Sequence, residues 1–161
     1  MEYRWNMKSG ASFSACQHYR YALWRVWDPD NPAILFISLN PSTADESKDD
    51  ATIRRCLGFA RLWGYGGMWM VNLFAYRATH PSELKETQDP IGPENDAWLT
   101  KMAAAFSFVI VCWGNQGTYQ QRNLLIRDIF PKLYCLAVTR KGQPIHPLYM
   151  PSSSLPKLYT F

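Results

Sequence analysis

Several things are missing from this 161-residue sequence, and each absence removes a class of function. No Cys-x-x-Cys pair occurs; Cys16, Cys56, Cys112 and Cys135 stand singly, and His18, His80 and His146 lack ligand spacing. The sequence therefore offers no zinc or iron–sulfur framework, and no metal or other cofactor is expected. Neither Gly-x-Gly-x-x-Gly nor the Walker Lys pattern occurs, and no Ser sits in a nucleophile elbow. No apolar run approaches a membrane span. Met1-Glu2-Tyr3-Arg4-Trp5-Asn6 lacks the charged-then-apolar pattern of a signal peptide, so a cytoplasmic location without membrane attachment is expected. There is no internal repeat, low-complexity segment or linker.

What is present is a chain with 47% apolar residues, enough for one domain with one good core. Its formal charge of +4 is mild and permits a polyanionic partner. Aromatic residues reach 15%, with seven Trp. Many must be core, and a surplus can form stacking surfaces.

Residues 1–18 read as an N-terminal arm or short edge element. Tyr19 to Trp27 alternates as a strand, with Arg20, Ala22, Trp24 and Val26 on one face. The turn signal Asp28-Pro29-Asp30-Asn31-Pro32 leads to the apolar run Ala33–Leu39, a strand that can pair with the first as a hairpin. A helix capped by Asp50 or Thr52 carries Ile53, Leu57 and Ala60 at helical spacing. Further strands are expected over Met68–Leu73, Ser107–Trp113 and Leu133–Val138, with helices from Pro93 to about Ala105 and from about Thr118 to Ile129. Residues 151–161 form a closing tail. The alternation predicts one α/β domain over 1–161, with a mostly parallel central sheet and helices on both faces as a three-layer sandwich.

In such a sheet every exit from a parallel strand reaches one edge, where ligands bind. The exits carry Asn40 with Asp45, Asn72 with Phe74 and Tyr76, Trp113 with Asn115, and His146. Amides suit the paired donors and acceptors of a nucleobase edge, and aromatics suit stacking on its faces. An Asn or Asp can hold a water, and a histidine can stabilise a departing base. That set fits cleavage of an N-glycosidic bond on a flipped-out nucleotide. Each piece also has a plainer use. Asn40 caps a turn before Pro41, Asn72 is a satisfied buried amide, Trp113 is core, and His146-Pro147 is a surface turn. The acidic cluster Asp45, Glu46, Asp49 and Asp50 is a solvated loop, and Arg54, Arg55 and Arg61 are a solvated helix face.

Leu39-Asn40-Pro41-Ser42-Thr43 resembles the first motif of the mismatch-specific and single-strand-selective branches of the uracil-DNA glycosylase superfamily, Gly-Ile/Met-Asn-Pro-Gly. Met70-Val71-Asn72 resembles the strand whose terminal Asn reads the base. His146-Pro147 resembles the start of the His-Pro-Ser motif. A longer resemblance runs over about residues 19–150. It is to small bacterial and phage proteins known as a domain of unknown function, which carry Leu-Asn-Pro-Ser-Thr-Ala-Asp, Asp-Pro-Thr-Ile-Arg-Arg-Cys, Val-Asn-Leu-Phe-Ala-Tyr-Arg-Ala, Asp-Pro-Ile-Gly-Pro-Glu-Asn-Asp, Trp-Gly and His-Pro-Leu-Tyr. Here these are Leu39–Asp45, Asp50–Cys56 (with Ala51 replacing Pro), Val71–Ala78, Asp89–Asp96, Trp113-Gly114 and His146–Tyr149.

The resemblance implies a uracil-DNA glycosylase-like fold and a monofunctional DNA glycosylase that leaves an abasic site; no lysine nucleophile sits at any of the four exits, so no lyase step is expected. Asn40 is expected to orient the water, Asp45 to activate it or stabilise a cationic sugar, and His146 to stabilise the departing base. Asn72 is expected to read the base, with Phe74 or Tyr76 stacking on it and Ser42 at the pocket. Arg77, Arg122, Arg140 and Lys141 are expected to hold phosphates of double- or single-stranded DNA, and Tyr149 or Leu148 to wedge into it. No obligate protein partner is implied. Two departures stand out, Ser42 for Gly and Leu148-Tyr149 for Ser-Pro; the replacement of the compact glycine turn by Ser42-Thr43 and the acidic loop points to a base other than uracil, such as a hypermodified or glucosylated phage pyrimidine, and to antiphage defence. The rivals are a non-catalytic module binding a nucleotide or modified DNA, and a nucleoside hydrolase or transferase.

Overall fold

The computed structural model describes residues 7–161. The first six residues of the expected arm lie outside the described residues.

Among the described residues seven strands form one sheet in the order β1-β2-β4-β3-β5-β6-β7. They are β1 (Lys8–Phe13), β2 (Arg20–Val26), β3 (Ala33–Ser38), β4 (Gly67–Asn72), β5 (Val109–Val111), β6 (Tyr134–Cys135) and β7 (Lys157–Leu158). The helices are α1 (Ala51–Leu62), α2 (Asn95–Ala105) and α3 (Arg122–Ile129).

The fold is α/β, but the sheet is mixed. β4, β3, β5 and β6 run parallel, whereas β1 on β2, β2 on β4 and β7 on β6 are antiparallel. The expected mostly parallel sheet is corrected in this respect. The expected hairpin of β2 with β3 does not form either, because β4 lies between them. Met70 and Trp69 of β4 face Leu23 and Trp24 of β2, and the same β4 residues face Phe36 and Leu35 of β3. Residues 8–13 are an edge strand, and the tail adds β7, two residues long and set just after Pro156.

Each face of the sheet carries a core. Ile34, Phe36, Met68, Met70, Ile110 and Leu23 pack under α1 through Ile53, Cys56, Leu57 and Ala60. Leu35, Ile37, Val71, Val109 and Ala22 pack under α2 and α3 through Leu99, Met102 and Ile126. The period-two alternation of β3 and β4 thus divides one apolar run between two interiors. Asp50 caps α1 by accepting from the Ile53 amide at 2.9 Å, an arrangement that stabilises a helix by about 1 kcal/mol. Cys56, Cys112 and Cys135 are buried and free, and burial pushes the Cys112 thiol up to about 12.

The pairing of β1 with β2 contains one irregularity. Ser12 pairs with Ala22, but Phe13 pairs with Arg20, so Tyr21 has no partner on β1. Such a bulge breaks the alternation and re-aims the neighbouring side chain. Tyr21 and Ala22 both turn toward the α2 face, where the Tyr21 hydroxyl meets the Glu94 amide. Arg20 is thereby turned to the α1 face, opposite to the side it would share with Ala22 in a regular strand.

Candidate functional site

The chain passes from β3 to β4 on one side and then to β5 on the other side of β3. The loops leaving β3 and β5 therefore diverge, opening a crevice at the carboxyl edge where α/β proteins take ligands. A cleft of about 520 Å³ lies there, bordered by Asn40, Ser42, Thr52, Trp113, Asn115 and His146, with Leu148 and Tyr149 at its edge. That is the size of a small-ligand pocket. A second cavity of about 40 Å³ adjoins it, sharing Ser38, Asn40, Ser42, Thr52 and His146 and adding Arg20, Asp50 and Asn72. Its polar walls and size suit a few waters or the polar edge of a bound group.

Asn40 follows β3 directly. Its side-chain nitrogen donates to the carbonyls of Pro41 at 3.0 Å and Ala78 at 2.8 Å. Both amide hydrogens are committed to the loops, so its Oδ1 is the atom left to accept a hydrogen from a ligand or water. Asn72 ends β4 on the α1 face and is buried. Its Oδ1 accepts from Arg20 at 3.4 Å, and the Asn95 side chain holds the backbone carbonyls of Asn72 and Leu73 at 2.9 and 3.1 Å. The start of α2 thus pins the exit of β4.

His146 borders both cavities. Its Nδ1 accepts from the Leu148 amide at 3.2 Å, which leaves the proton of the neutral ring on Nε2. Burial lowers its pKa from the ordinary histidine value, with Asp50 pulling the other way, so the ring is a neutral donor at pH 7. The far wall is fastened to the β5 exit: Gly114 N donates to Pro144 O at 2.8 Å, Trp113 Nε1 to Gln143 at 2.9 Å and Thr139 to Asn115 at 2.6 Å. A Cβ on Gly117 would stand 2.0 Å from the Trp113 ring, so this wall needs a residue without one.

The structure brings Asn40, Ser42, Asn72, His146 and Tyr149 together, and leaves other expected residues elsewhere. The Asp45 carboxylate accepts from the amides of Ser47 and Lys48 at 3.0 and 2.7 Å, which lowers its pKa. It organises its own loop and borders neither cavity. Phe74 is fully buried against Tyr119 and cannot stack on a ligand. Tyr76 packs edge-on against Tyr19, away from the cleft. Arg77 lies over Phe13 and donates to the Gln17 carbonyl. Arg122 is buried, donating to the Leu73 carbonyl at 3.0 Å and pairing with Asp96 at 2.5 Å, so it is not a phosphate contact. Arg140 and Lys141 are exposed on the turn that Thr139 fastens to Asn115.

Two charged lining residues lie outside the set expected from the sequence. Asp50 caps α1 and also borders the inner cavity. Arg20 enters because β2 runs antiparallel, so that its first residue, and not its last, lies at the carboxyl edge of the parallel strands. Among the described residues no three His, Cys, Asp or Glu side chains group as a metal site, and no helix is long and apolar enough to cross a membrane.

Residues 20–148 match the family model described as "Protein of unknown function (DUF1643)", and the chain belongs to that family. No curated protein and no solved structure matches.

Proposed function

We propose that this family member is a cytoplasmic, monofunctional DNA glycosylase on a uracil-DNA glycosylase-like scaffold, acting on a modified pyrimidine in antiphage defence. One observation carries the reading. Asn40, Asn72 and the neutral His146, each from a different strand exit, border one polar cavity beside a cleft of nucleoside size.

In this mechanism a flipped-out nucleotide enters the 520 Å³ cleft with its base edge toward Asn72. Asn40 Oδ1 accepts from the attacking water. Asp50 takes the part expected of Asp45, setting its negative charge against the cationic sugar of the transition state. The bond from C1′ to the base nitrogen breaks with its electron pair leaving on the base, and the water oxygen bonds to C1′ and gives up its proton to solvent. His146 donates from Nε2 to an oxygen of the departing base without being an imidazolium. Arg140 and Lys141 hold phosphates, and Tyr149 fills the space the base vacates.

The test is incubation with oligonucleotides bearing a panel of modified pyrimidines. Free base together with an alkali-labile site supports the reading. Absence of base release across the panel, with wild-type protein that retains the DNA, favours a modified-DNA binding module. That second reading rests on Asp50, whose carboxylate already serves the α1 cap, and on Asp45, whose carboxylate faces its own loop.

A further inference from the structure

Arg20 is 2% exposed and carries no carboxylate partner among the described residues. Its guanidinium makes two long contacts, to the Ala44 carbonyl at 3.3 Å and Asn72 Oδ1 at 3.4 Å, and its Nε is buried without an acceptor. The donors of this guanidinium are thus poorly used. A buried cation left this way is costly and is ordinarily paired or neutralised. Burial does pull its pKa down, but only to about 10, so it stays charged at neutral pH. The bulge at Tyr21 turns it to the face where Asn72 ends, and it borders the inner cavity. Asp50 borders the same cavity without pairing with it.

We propose that Arg20 binds the ligand itself, engaging the acceptor edge of a pyrimidine in the inner cavity and holding the negative charge of its departing, N1-deprotonated form. The inference rests on the glycosidic-cleavage reading. There the electron pair of the broken bond stays on the base, and a neutral histidine supplies a hydrogen bond but no countercharge. Arg20 supplies the countercharge. It neither gives nor takes a proton, and the base anion is protonated by solvent after it leaves. Arg20 on the base side and Asp50 on the sugar side then match the charge separation of the breaking bond.

Titrating the protein with 5-nitrouracil, an anion at neutral pH, and with neutral uracil tests this. Wild type should bind the anion roughly tenfold more tightly, as a charge-assisted contact requires. Arg20→Met should lose that preference while melting at the same or a higher temperature. If that variant does not fold, Asn72→Asp serves instead, because its carboxylate neutralises Arg20 in place and should also abolish the preference. Equal binding of the two bases by wild type, binding of neither, or a preference that survives both substitutions overturns the proposal. Base release followed in parallel separates the two readings. Release without an anion preference removes Arg20 and leaves the glycosylase. A preference without release keeps Arg20 as an anion-binding group and removes the glycosylase.

Discussion

The side-chain nitrogen of Asn40 donates to the carbonyl of Ala78 across 2.8 Å, tying the exit of β3 to that of β4. The residue expected to hold the water is therefore also a strut. Asn40→Ala leaves the Pro41 and Ala78 carbonyls without this donor and should cost about 1–3 kcal/mol of stability, read by denaturant unfolding. Asn40→Asp should destabilise further, since a carboxylate would face two carbonyl oxygens. Base release should be lost in both. Unchanged stability in Asn40→Ala would show that the strut carries no energy.

The two acidic residues can be separated. Asp50→Asn keeps a good N-cap, because Asn accepts from the Ile53 amide as Asp does, but removes the charge from the inner cavity. Its melting temperature should stay near wild type while base release falls by about 10²-fold or more. Asp45→Ala should loosen the 45–48 turn and leave the chemical step in place, since the carboxylate binds only its own loop. A reversed pattern would restore Asp45 to the mechanism.

His146 gives a pH prediction with a definite sign. Burial lowers its pKa below 6.5, so the neutral form is favoured in the folded protein. The unfolded chain takes up its proton near pH 6.5 while the folded chain does not. This residue's contribution to stability is therefore complete above that value and is lost as pH falls toward the folded pKa. Base release should follow the same titration, with the acid limb of the rate profile below pH 6.5, and the imidazole resonances should titrate there too. Activity that instead rose as pH fell through this range would mean that the ring must be charged to act.

The basic residues divide by burial. Arg140→Ala and Lys141→Ala should each lower the slope of log affinity against log salt by about 0.7–0.9 with little change in melting temperature. Arg122→Ala should do the opposite. It removes one of the two donors to the buried Leu73 carbonyl, Asn95 being the other, and breaks the pairing with Asp96, costing about 1–3 kcal/mol. An altered salt slope in Arg122→Ala would place that side chain on DNA after all.

These contrasts show what the chain discloses by itself. The four parallel strands, the three helices and the shared edge follow from hydrophobic period and turn residues, and so do Asn40, Asn72 and His146. What a strand exit does not disclose is which way its side chains turn once the loop closes. Phe74 and Arg122 carry the right chemistry, but both are drawn into the interior around Leu73. Arg20 is hidden twice. Its strand has the pattern of a hairpin partner of β3, whereas β4 lies between them, and its face follows from an alternation that the bulge at Tyr21 interrupts. β7 is illegible because two residues hold too little pattern, and its short register on β6 is set by tertiary contact.

Tyr149 offers the cleanest test of how a base reaches the cleft. It is 79% exposed at the cleft edge, one residue after the half-exposed Leu148 and three after His146. The turn that carries it is fixed by the Leu148 amide on His146 Nδ1 and by the Tyr149 amide on the His146 carbonyl at 3.1 Å. The ring stands edge-on to His146, 6.1 Å between centroids, and otherwise faces solvent, and an unstacked base step is a surface that suits it. Tyr149→Ala removes little that the folded protein buries, so its melting temperature should match wild type. On duplex DNA the rate of base release should drop, because nothing replaces the base in the stack. On the same modified base in single-stranded DNA, where no stack has to be opened, the rate should be nearly unchanged. Equal losses on the two substrates would assign Tyr149 to binding the nucleotide itself, and equal rates on both would leave it without a part in flipping.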